Sequence, residues 1–530
     1  MANQYDAIVI GGGHNGLVAA CYLGKAGKKV LVLERRHVAG GAAISEEFHP
    51  GYHNSVASYA FGLMRGEVVR DLELKRRGLQ AIAYTGAVKL LSDGRQIQLT
   101  GDAARDQATF ARISNSDYDN MNRLYAQLRR VGDVIRNQWL REPPDLAGGL
   151  DSIFSSLRMA GEMRNFTVED RQFLVQMFTL SAWDLMSRWF ESPTMRNIFT
   201  GHCASSNFMS LYAPGSALPF FINVLGELDG QRNKWGIAKG GMGGVTDAIL
   251  DAAKEYGVEV RVNAPVARVL IRSGRAEGVT LESGEEVRAR VVLSNADAKR
   301  TFLQFVGREH LDGKFASDIE HIRVGQASFR INLALAGTPE FADISGADAA
   351  LARGAAITVI PDAVSLEKSY QAARQGEVST EPFIHVQIPS ALDPDLAPKG
   401  HHVMGLLAKY YPYNLSGGRN WDSIKEQTAD HIISVMARHI PNLPKLIVGR
   451  QVFTPLDLER VFALPEGDVF HARHDLDQIF SLRPHPKAAR YRTPIKALYL
   501  CGSGVHPGGG VTGAPGHNAA RRVLKDFARL

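Results

Sequence analysis

The 530-residue chain lacks the features that define several large classes of protein. It has three cysteines, Cys21, Cys203 and Cys501, and no C-x-x-C pair, which excludes a redox-active dithiol of the disulfide-reductase kind. No segment approaches the ~20 continuous apolar residues that a membrane-spanning helix needs. Lysine and arginine are scattered, although the formal net charge is +6, so nucleic-acid binding is not indicated. No group of His, Cys, Asp and Glu has the spacing of a metal site.

The remaining composition is that of a globular protein. The chain is 45% hydrophobic and 22% charged, and it is too long for a single core, so we expect at least two domains. No signal or transit peptide precedes the first predicted strand, and we therefore expect a cytoplasmic protein. The mildly basic surface leaves open a peripheral contact with an anionic membrane.

The most informative segment lies at the N-terminus. An apolar strand, Ala7–Ile10, leads directly into Gly11-Gly12-Gly13-His14-Asn15-Gly16, which has the form G-x-G-x-x-G. A predicted helix from 17 to 26 and a second apolar strand, Val30–Leu33, follow, and the strand ends at Glu34. This order predicts a βαβ unit that holds a dinucleotide.

Each part of this unit has its own expected role. Gly11 permits the tight turn, Gly13 lets the backbone approach a pyrophosphate, and Gly16 lets the helix pack on the strand. We also expect Gly13 to need a positive φ. The helix N-terminus offers free N–H groups to the phosphates. Glu34, 23 residues after Gly11, can accept hydrogen bonds from the adenosine ribose.

A second glycine-rich signal lies at the C-terminus. A short strand, 497–500, precedes a loop, 501–513, that contains six glycines, and a helix is predicted from 514 to 530. A flanked loop of this kind indicates a backbone in close contact with a cofactor rather than a linker. Val511 and Thr512 would offer N–H groups at a helix start, where they could stabilise negative charge at the N1/C2=O end of a reduced flavin.

A third glycine cluster, 240–244, lies in the middle of the chain. It precedes a predicted helix, 245–256, and a strand-rich stretch that ends with 291–296. A second nucleotide fingerprint, with Glu259 as its acid, is disfavoured because residues 234–238 make a poor buried strand and the glycine spacing is wrong. We predict a helix-entry loop packed beside the first cofactor.

These three blocks, in this order, resemble the flavoprotein superfamily of phytoene desaturases, carotenoid isomerases and amine oxidases. The doublet Gly40-Gly41 resembles the glycine pair that typically follows the nucleotide fingerprint in this superfamily. The C-terminal Gly-x-His-Pro-Gly-Gly-Gly looks phytoene-desaturase-like. A narrower resemblance is to the phytoene-desaturase-related proteins named for a pyridine-nucleotide-disulfide oxidoreductase domain, which include a mitochondrial animal member. The absent presequence suggests a bacterial relative. The stretches that carry the narrower resemblance are 34–38, 71–75, 389–394, 454–460 and 476–478.

The resemblance implies a mixed α/β fold and non-covalent FAD. A discontinuous Rossmann-like FAD domain (1–75, 231–299 and 491–530) would carry a substrate domain (76–230 and 300–490) of mainly antiparallel sheet plus helices. Glu34 would bind the ribose, Val266 would contact the adenine, and Val511 and Thr512 would lie under the flavin pyrimidine. The predicted cofactor-contacting residues are Gly11, Gly13, His14, Asn15, Gly16, Glu34, Arg35, Gly41, Ala42, Val266, Asn295, Gly502, Ser503, Val511 and Thr512.

The segment 178–225 is rich in aromatic residues. Two interpretations stand side by side. The segment is a helical core, or it has a functional role, either as an apolar pocket or tunnel over the flavin or as a surface that touches membrane. The stretch 207–225 contains Pro214, Gly215 and Pro219, so we expect a broken helix or an apolar loop that could form a substrate entrance. The aromatic residues are Trp183, Trp189, Phe190, Phe199, Phe208, Tyr212, Phe220 and Phe221.

The expected reaction is hydride removal from an apolar organic substrate, by desaturation, oxidation or isomerisation. No acid or base is evident; His506 is the first candidate for a polar group near the ring and His202 the second, each with a structural role as the alternative. The electron acceptor is left open, with oxygen and a quinone as candidates, and so is a homo-oligomer. The rival interpretations are an amine oxidase and a flavin-bearing scaffold protein without turnover.

The fingerprint and the C-terminal loop predict that the protein purifies yellow with non-covalent FAD. Acid precipitation should release the flavin into the supernatant, where its absorbance and chromatographic mobility identify it. A colourless protein that takes up no added FAD, or a flavin that stays in the pellet, would contradict this prediction.

Overall fold

The computed structural model describes residues 4–146, 157, 160–205 and 207–529. In that part of the chain no helix has the length and apolarity needed to cross a bilayer.

The strands are β1 Tyr5–Ile10, β2 Val30–Leu33, β3 Ser45–His49, β4 Tyr52–Ser55, β5 Ala81–Ala83, β6 Ala87–Leu91, β7 Gln96–Leu99, β8 Glu227–Leu228, β9 Gln231–Arg232, β10 Gly236–Ala238, β11 Glu259–Arg261, β12 Val266–Arg272, β13 Arg275–Leu281, β14 Glu286–Ser294, β15 Ser328–Leu335, β16 Ala356–Ile360, β17 Ile384–Gln387, β18 His402–Lys409, β19 Ile447–Phe453 and β20 Leu498–Leu500.

Helices cover the sheets and fill the segments between them. In chain order they are α1 His14–Lys25, α2 Gly66–Asp71, α3 Ala103–Ala111, α4 Asn115–Gln138, α5 Val168–Thr179, α6 Ala182–Trp189, α7 Pro193–His202, α8 Ile222–Leu225, α9 Met242–Glu255, α10 Gly313–Glu320, α11 Gly346–Arg353, α12 Ala363–Arg374, α13 Trp421–Ala437, α14 Leu443–Leu446, α15 Pro455–Phe462 and α16 Ala514–Asp526. A π-helical turn spans Arg300–Val306.

The first sheet is Rossmann-like. Strands β11, β2, β1, β14 and β20 lie side by side and parallel, and every residue of β2 is buried, as expected for a strand covered on both faces. The long strand β14 also pairs, through its first half, with the antiparallel β13, which in turn pairs with β12. Segments distant in the chain therefore meet at the carboxyl ends of the parallel strands.

The second sheet is mainly antiparallel. Its order is β19-β15-β18-β17-β16-β6-β7, and only the β16–β6 pair among these is parallel. The predicted fold class, a Rossmann-like sheet with a second antiparallel sheet plus helices, is confirmed. The division of the chain at 75, 230, 299 and 490 stays a prediction.

The N-terminal unit forms as predicted, with an earlier helix start. Helix α1 begins at His14 rather than at residue 17, because the backbone of Gly13 is extended and the next residue already enters the helix. The helix ends near Gly27, whose φ of +72° suits glycine. The C-terminal helix α16 begins at Ala514, as predicted, and gives way to a short 3₁₀ turn after Asp526.

The middle glycines form a helix entry, not a second nucleotide unit. The strand before them, β10, pairs with β5 and bridges to Phe61, both outside the parallel sheet. Helix α9 starts at Met242, with Gly243 and Gly244 inside its first turn; a Cβ on Gly244 would lie 2.2 Å from the carbonyl oxygen of Lys239. The Thr246 hydroxyl donates to the carbonyl of Ala43 (2.5 Å), which ties this helix to the segment after β2.

The aromatic segment contributes both to a helical core and to a cavity. Phe190 and Phe220 are buried in the core, and Ile198, Phe199 and His202 of α7 line a cavity described below. Whether this cavity lies over a flavin stays a prediction. Residues 207–217 form a loop, followed by a 3₁₀ turn, Leu218–Phe221, and the single turn α8, as the proline and glycine pattern predicts.

Close packing of α1 against α16 predicts a sharp penalty for a methyl group at Gly516. A Cβ there would lie 2.1 Å from the carbonyl oxygen of Asn15 and 3.0 Å from the N of Ala19, both backbone atoms that cannot move independently. We expect Gly516→Ala to destabilise the protein by about 1–3 kcal/mol and to lower its thermal midpoint. The control is Gly313→Ala, at the first residue of α10, where a Cβ meets no atom within 4 Å. Equal midpoints for the two variants would contradict this packing.

Candidate active site

Asn295 joins the ends of three parallel strands. It follows β14, and its N–H donates to the carbonyl of Ile10 (2.9 Å) while its Nδ2 donates to the carbonyl of Gly11 (3.2 Å). Gly502, just after β20, packs so closely that a Cβ there would lie 2.4 Å from the Asn295 carbonyl oxygen. The N-terminal, middle and C-terminal blocks that the sequence singles out are therefore in direct contact.

The glycines of the fingerprint depart from our expectation in one respect, the φ of Gly13. Gly11 carries the positive φ (+91°), whereas Gly13 has a φ of −69°, so the expected positive φ at Gly13 is wrong. There is no space for a side chain at Gly13, because a Cβ there would lie 2.8 Å from Asn295 Nδ2. Gly16 packs against the turn, with its Cβ position 2.3 Å from the Gly11 carbonyl oxygen. Gly41 approaches within 4 Å of the Gly13 Cβ position.

Glu34 lies buried at the end of β2. Its Oε2 accepts the N–H of Gly12 and its Oε1 accepts the N–H of Arg36, both at 2.8 Å, which leaves each oxygen a further lone pair. The segment leading to Val266 runs beside it, since the N–H of Ala264 donates to the Glu34 carbonyl (2.8 Å). The side chain of Arg35 instead donates to the carbonyls of Arg460 and Val461, away from the fingerprint.

The C-terminal loop is attached to the fingerprint by side chains. Asn15 Nδ2 donates to the Ser503 hydroxyl (3.2 Å), and the buried Arg483 donates to the Ser503 carbonyl (2.9 Å). The N–H of Thr512 donates to the Gly510 carbonyl (2.7 Å), and Gly513 caps the helix. The Thr512 donor is thus used inside the loop, which corrects our expectation that it stands free at a helix start.

The hydrogen-bonding groups around the fingerprint fit a dinucleotide. No side chain caps the N-terminus of α1, so its first N–H groups are left to a ligand. The buried Nε2 of His14 and Oδ1 of Asn15 have no hydrogen-bond partner among the described residues. An adenosine ribose at Glu34 and a pyrophosphate at the helix start would satisfy such groups. These assignments stay predictions.

A cavity of about 480 Å³ extends from the predicted cofactor-binding segments to the second sheet. The predicted cofactor segments contribute His14, Ala42, Ala43, Gly510 and Val511 to its lining. Apolar and aromatic side chains supply much of the rest. They include Leu63, Ile97, Leu99, Phe110, Met121, Tyr125, Ile198, Phe199, Ile222, Trp235, Leu407, Val469 and Phe470.

One row of the antiparallel sheet faces this cavity. Cross-strand pairing sets Ile97 of β7, Lys89 of β6, Thr358 of β16, His385 of β17 and Leu407 of β18 side by side, and all five line the cavity. Because side chains alternate along a strand, the flanking Val88 and Leu90 pack into the core on the other face. The register of the sheet therefore brings a lysine and a histidine into an otherwise apolar chamber.

Burial favours the neutral forms of the ionisable side chains that line the cavity. It lowers the pKa of the Lys89 ammonium to about 8. Burial, aided by repulsion from Lys89 and Lys409, lowers the pKa of His385 to about 3, and burial likewise places the pKa of His202 well below its usual range. Burial raises the pKa of Tyr59 and Tyr84, which also line the cavity. No carboxylate lines the cavity among the described residues.

The two histidine candidates occupy different places. His202 lines the cavity, and neither ring nitrogen has a partner within the described part of the chain. His506 is buried in the C-terminal loop, where its Nε2 lies 3.0 Å from the Gln138 carbonyl oxygen and its ring packs near Phe480. His506 is not among the described residues that line the cavity, and its catalytic role stays a prediction.

Sequence reasoning missed the cavity-facing row of Lys89, Thr358 and His385. A lysine in the centre of the apolar strand Ala87–Leu91 was a usable signal, since a charged residue is rarely buried without a purpose. The three cysteines are buried and unpaired, and burial raises the pKa of each thiol, that of Cys21 to about 12. None has the lowered pKa of a reactive thiol.

Comparisons with known proteins identify the family. The model for flavin-containing amine oxidoreductases matches residues 16–301, and the chain belongs to this family. Pyridine nucleotide-disulfide oxidoreductase domain-containing protein 2 of Rattus norvegicus is 36% identical over 99% of this chain and 94% of its own length. The neurosporene-forming phytoene desaturase of Rhodobacter capsulatus is 24% identical over 95% of this chain and 91% of its own. The resemblance drawn from the sequence motifs is confirmed.

A solved structure shows the same fold. The structure of a putrescine oxidase variant, with alanine 394 replaced by cysteine, superposes with a TM-score of 0.63. The two chains are 15% identical, and the alignment covers all of both.

The crowding at Gly13 predicts that Gly13→Val abolishes FAD binding. The new side chain would displace Asn295 and occupy the space that the pyrophosphate needs. Flavin content per folded protein, measured by absorbance with circular dichroism as the folding check, should fall to near zero. The same substitution at the open Gly313 serves as the control and should leave flavin content unchanged. A folded Gly13→Val protein with normal flavin content would remove this turn from the site.

Proposed function

We propose that this protein is an oxidoreductase that binds FAD non-covalently and removes hydride from an organic substrate held in the 480 Å³ cavity. Desaturation, oxidation or redox-neutral isomerisation of that substrate would all use this step. The observation that carries the proposal is the shared wall: residues of the predicted cofactor segments, such as His14 and Val511, line the same cavity as the apolar side chains of the second sheet and its helices.

The chain's own residues would bind, orient and exclude water. Glu34 and the N-terminus of α1 would hold the ribose and the pyrophosphate, and Val511 would lie beside the flavin ring. Bound FAD supplies a hydride acceptor, so the protein need only place a C–H bond beside it. Phe110, Met121 and Phe199 would pack on the substrate and keep water away from the reacting carbon.

An apolar substrate is favoured by the cavity lining and by the family. Most lining side chains are aliphatic or aromatic, which fits an organic chain better than a polar metabolite. A relative whose name is phytoene desaturase supports the same class of reaction. An amine oxidase is the second candidate, favoured by Tyr59 and Trp235 in the lining and by the family's name. The buried Lys89 disfavours a protonated amine, because two positive charges would share one low-dielectric chamber.

Anaerobic reduction of the bound flavin tests this proposal. We expect apolar alkenes, terpenoids or acyl compounds to bleach the visible flavin band, and amines to leave it unchanged. Ala87→Phe, which places a ring in the cavity beside Lys89, should slow bleaching at least about tenfold. The control Val364→Phe adds the same ring at an exposed site of α12 and should bleach normally. If the FAD-loaded protein is bleached by none of the panel and converts none of it to an isomer, a flavin-bearing protein without turnover replaces our proposal.

A further inference from the structure

We propose that the substrate is an amphipathic carboxylic acid, whose carboxylate binds the Nζ of Lys89 while its apolar chain lies along the aromatic part of the cavity. The inference rests on the proposed function for the identity of the reaction, and it adds the chemical class of the substrate. It follows from the position of one unpaired cation.

Lys89 is a buried cation; the residue is 8% exposed. It lines the cavity, and no hydrogen bond or ion pair to its ammonium occurs among the described residues. The other buried lysine of this sheet, Lys409, is different: its Nζ donates to the Ser328 hydroxyl at 3.0 Å and reaches Gln326 Oε1 at 3.5 Å. A buried ammonium without a counter-charge is costly, so a ligand that brings the missing negative charge would gain from it.

The neighbours of Lys89 suit the second oxygen of a carboxylate. Thr358 is its direct cross-strand neighbour, and His385 follows on the next strand. From the helical wall, His202 presents a ring whose two nitrogens have no partner among the described residues, and this ring lines the same cavity as Lys89. Hydroxyl and imidazole N–H groups can each donate to a carboxylate.

The apolar part of the lining limits what the acid's chain can look like. Ile97, Leu99 and Phe110 lie on the same side of the sheet as Lys89 or pack over it, and Met121, Ile198 and Phe199 extend the apolar surface. These groups offer nothing to a second charge or to a polar chain. With no carboxylate in the described lining, a cationic ligand finds no negative counter-charge there, and a pure hydrocarbon would leave Lys89 unpaired.

The pKa values give the inference a pH signature. The titratable groups that face the cavity with Lys89 are His14, Tyr59, Tyr84, Tyr125, His202 and His385. Burial lowers the pKa of each of these histidines and raises that of each tyrosine, so all of them are neutral between about pH 7 and pH 9. Lys89, with its pKa lowered to about 8, is charged below this value and neutral above it. Acid affinity should therefore fall about tenfold per unit as the pH rises above about 8.

Binding of matched ligands to the FAD-loaded protein tests the inference without relying on turnover. The probes are decanoic acid, decanol and decylamine, which share one chain and differ in the head group, titrated by calorimetry and by the shift of the flavin spectrum. We expect the acid to bind at least about tenfold more tightly than the alcohol near pH 7, and the amine to bind weakest. Equal affinity for acid and alcohol would overturn the inference.

Variants separate a specific ion pair from a structural effect. Lys89→Met should lose the preference for acid while the alcohol binds within about twofold of wild type, and Lys89→Arg should retain most of it. Lys409→Met removes the other buried ammonium of the sheet and should keep the preference. Equal weakening of acid and alcohol in Lys89→Met, or loss of the preference in Lys409→Met, would overturn the assignment to Lys89. If Lys89→Met does not fold, the pH dependence in the wild-type protein decides, since only acid binding should weaken above about pH 8.

The results also distinguish this inference from the proposed function. Lys89-dependent binding of acids, with a flavin that no compound reduces, would support the acid site and contradict the proposed oxidoreductase activity. Bleaching by neutral apolar compounds, with no preference for acids in binding, would support the activity and overturn the acid site.

Discussion

The site depends on the contact of three chain segments at the carboxyl ends of parallel strands. Asn295 carries this contact: its backbone bonds to Ile10, its side chain to Gly11, and its carbonyl packs against Gly502. Strands β14 and β20 lie hundreds of residues after β1 in the chain. The predicted cofactor site is therefore complete only when the whole parallel sheet has formed. The glycines are then explained by space, since side chains at Gly13 or Gly502 would collide with Asn295.

The second sheet supplies what the first does not, a wall for the substrate. Its strands place one face in the hydrophobic core and the other against the cavity, so a single register decides that Lys89, Thr358 and His385 share the chamber with Val511 and His14. A one-residue slip of β6 would bury Lys89 in the core and turn Val88 or Leu90 to the cavity. Polarity inside this chamber is thus a property of strand pairing as much as of composition.

Local features of the sequence predicted much of the fold and of the cofactor side. The G-x-G-x-x-G turn with Glu34, the helix entry at 240–244 and the strand, loop and helix at the C-terminus are each readable within about 30 residues. Details that depend on neighbours were harder. The φ of Gly13, the bond from Thr512 to Gly510 and the turn of Arg35 towards Arg460 are set by tertiary contacts. The row of Lys89, Thr358 and His385 joins residues almost 300 positions apart, and no local pattern reveals such a register.

The central claim is that cofactor and substrate share one cavity between the two sheets. An experimental structure of the FAD-loaded protein with a bound acid tests it most directly. The account predicts the ribose at Glu34, the pyrophosphate at the start of α1, the flavin ring beside Val511, and the ligand chain between that ring and the Lys89 row. A flavin ring outside this cavity, or a ligand bound elsewhere with Lys89 left unpaired, would contradict it.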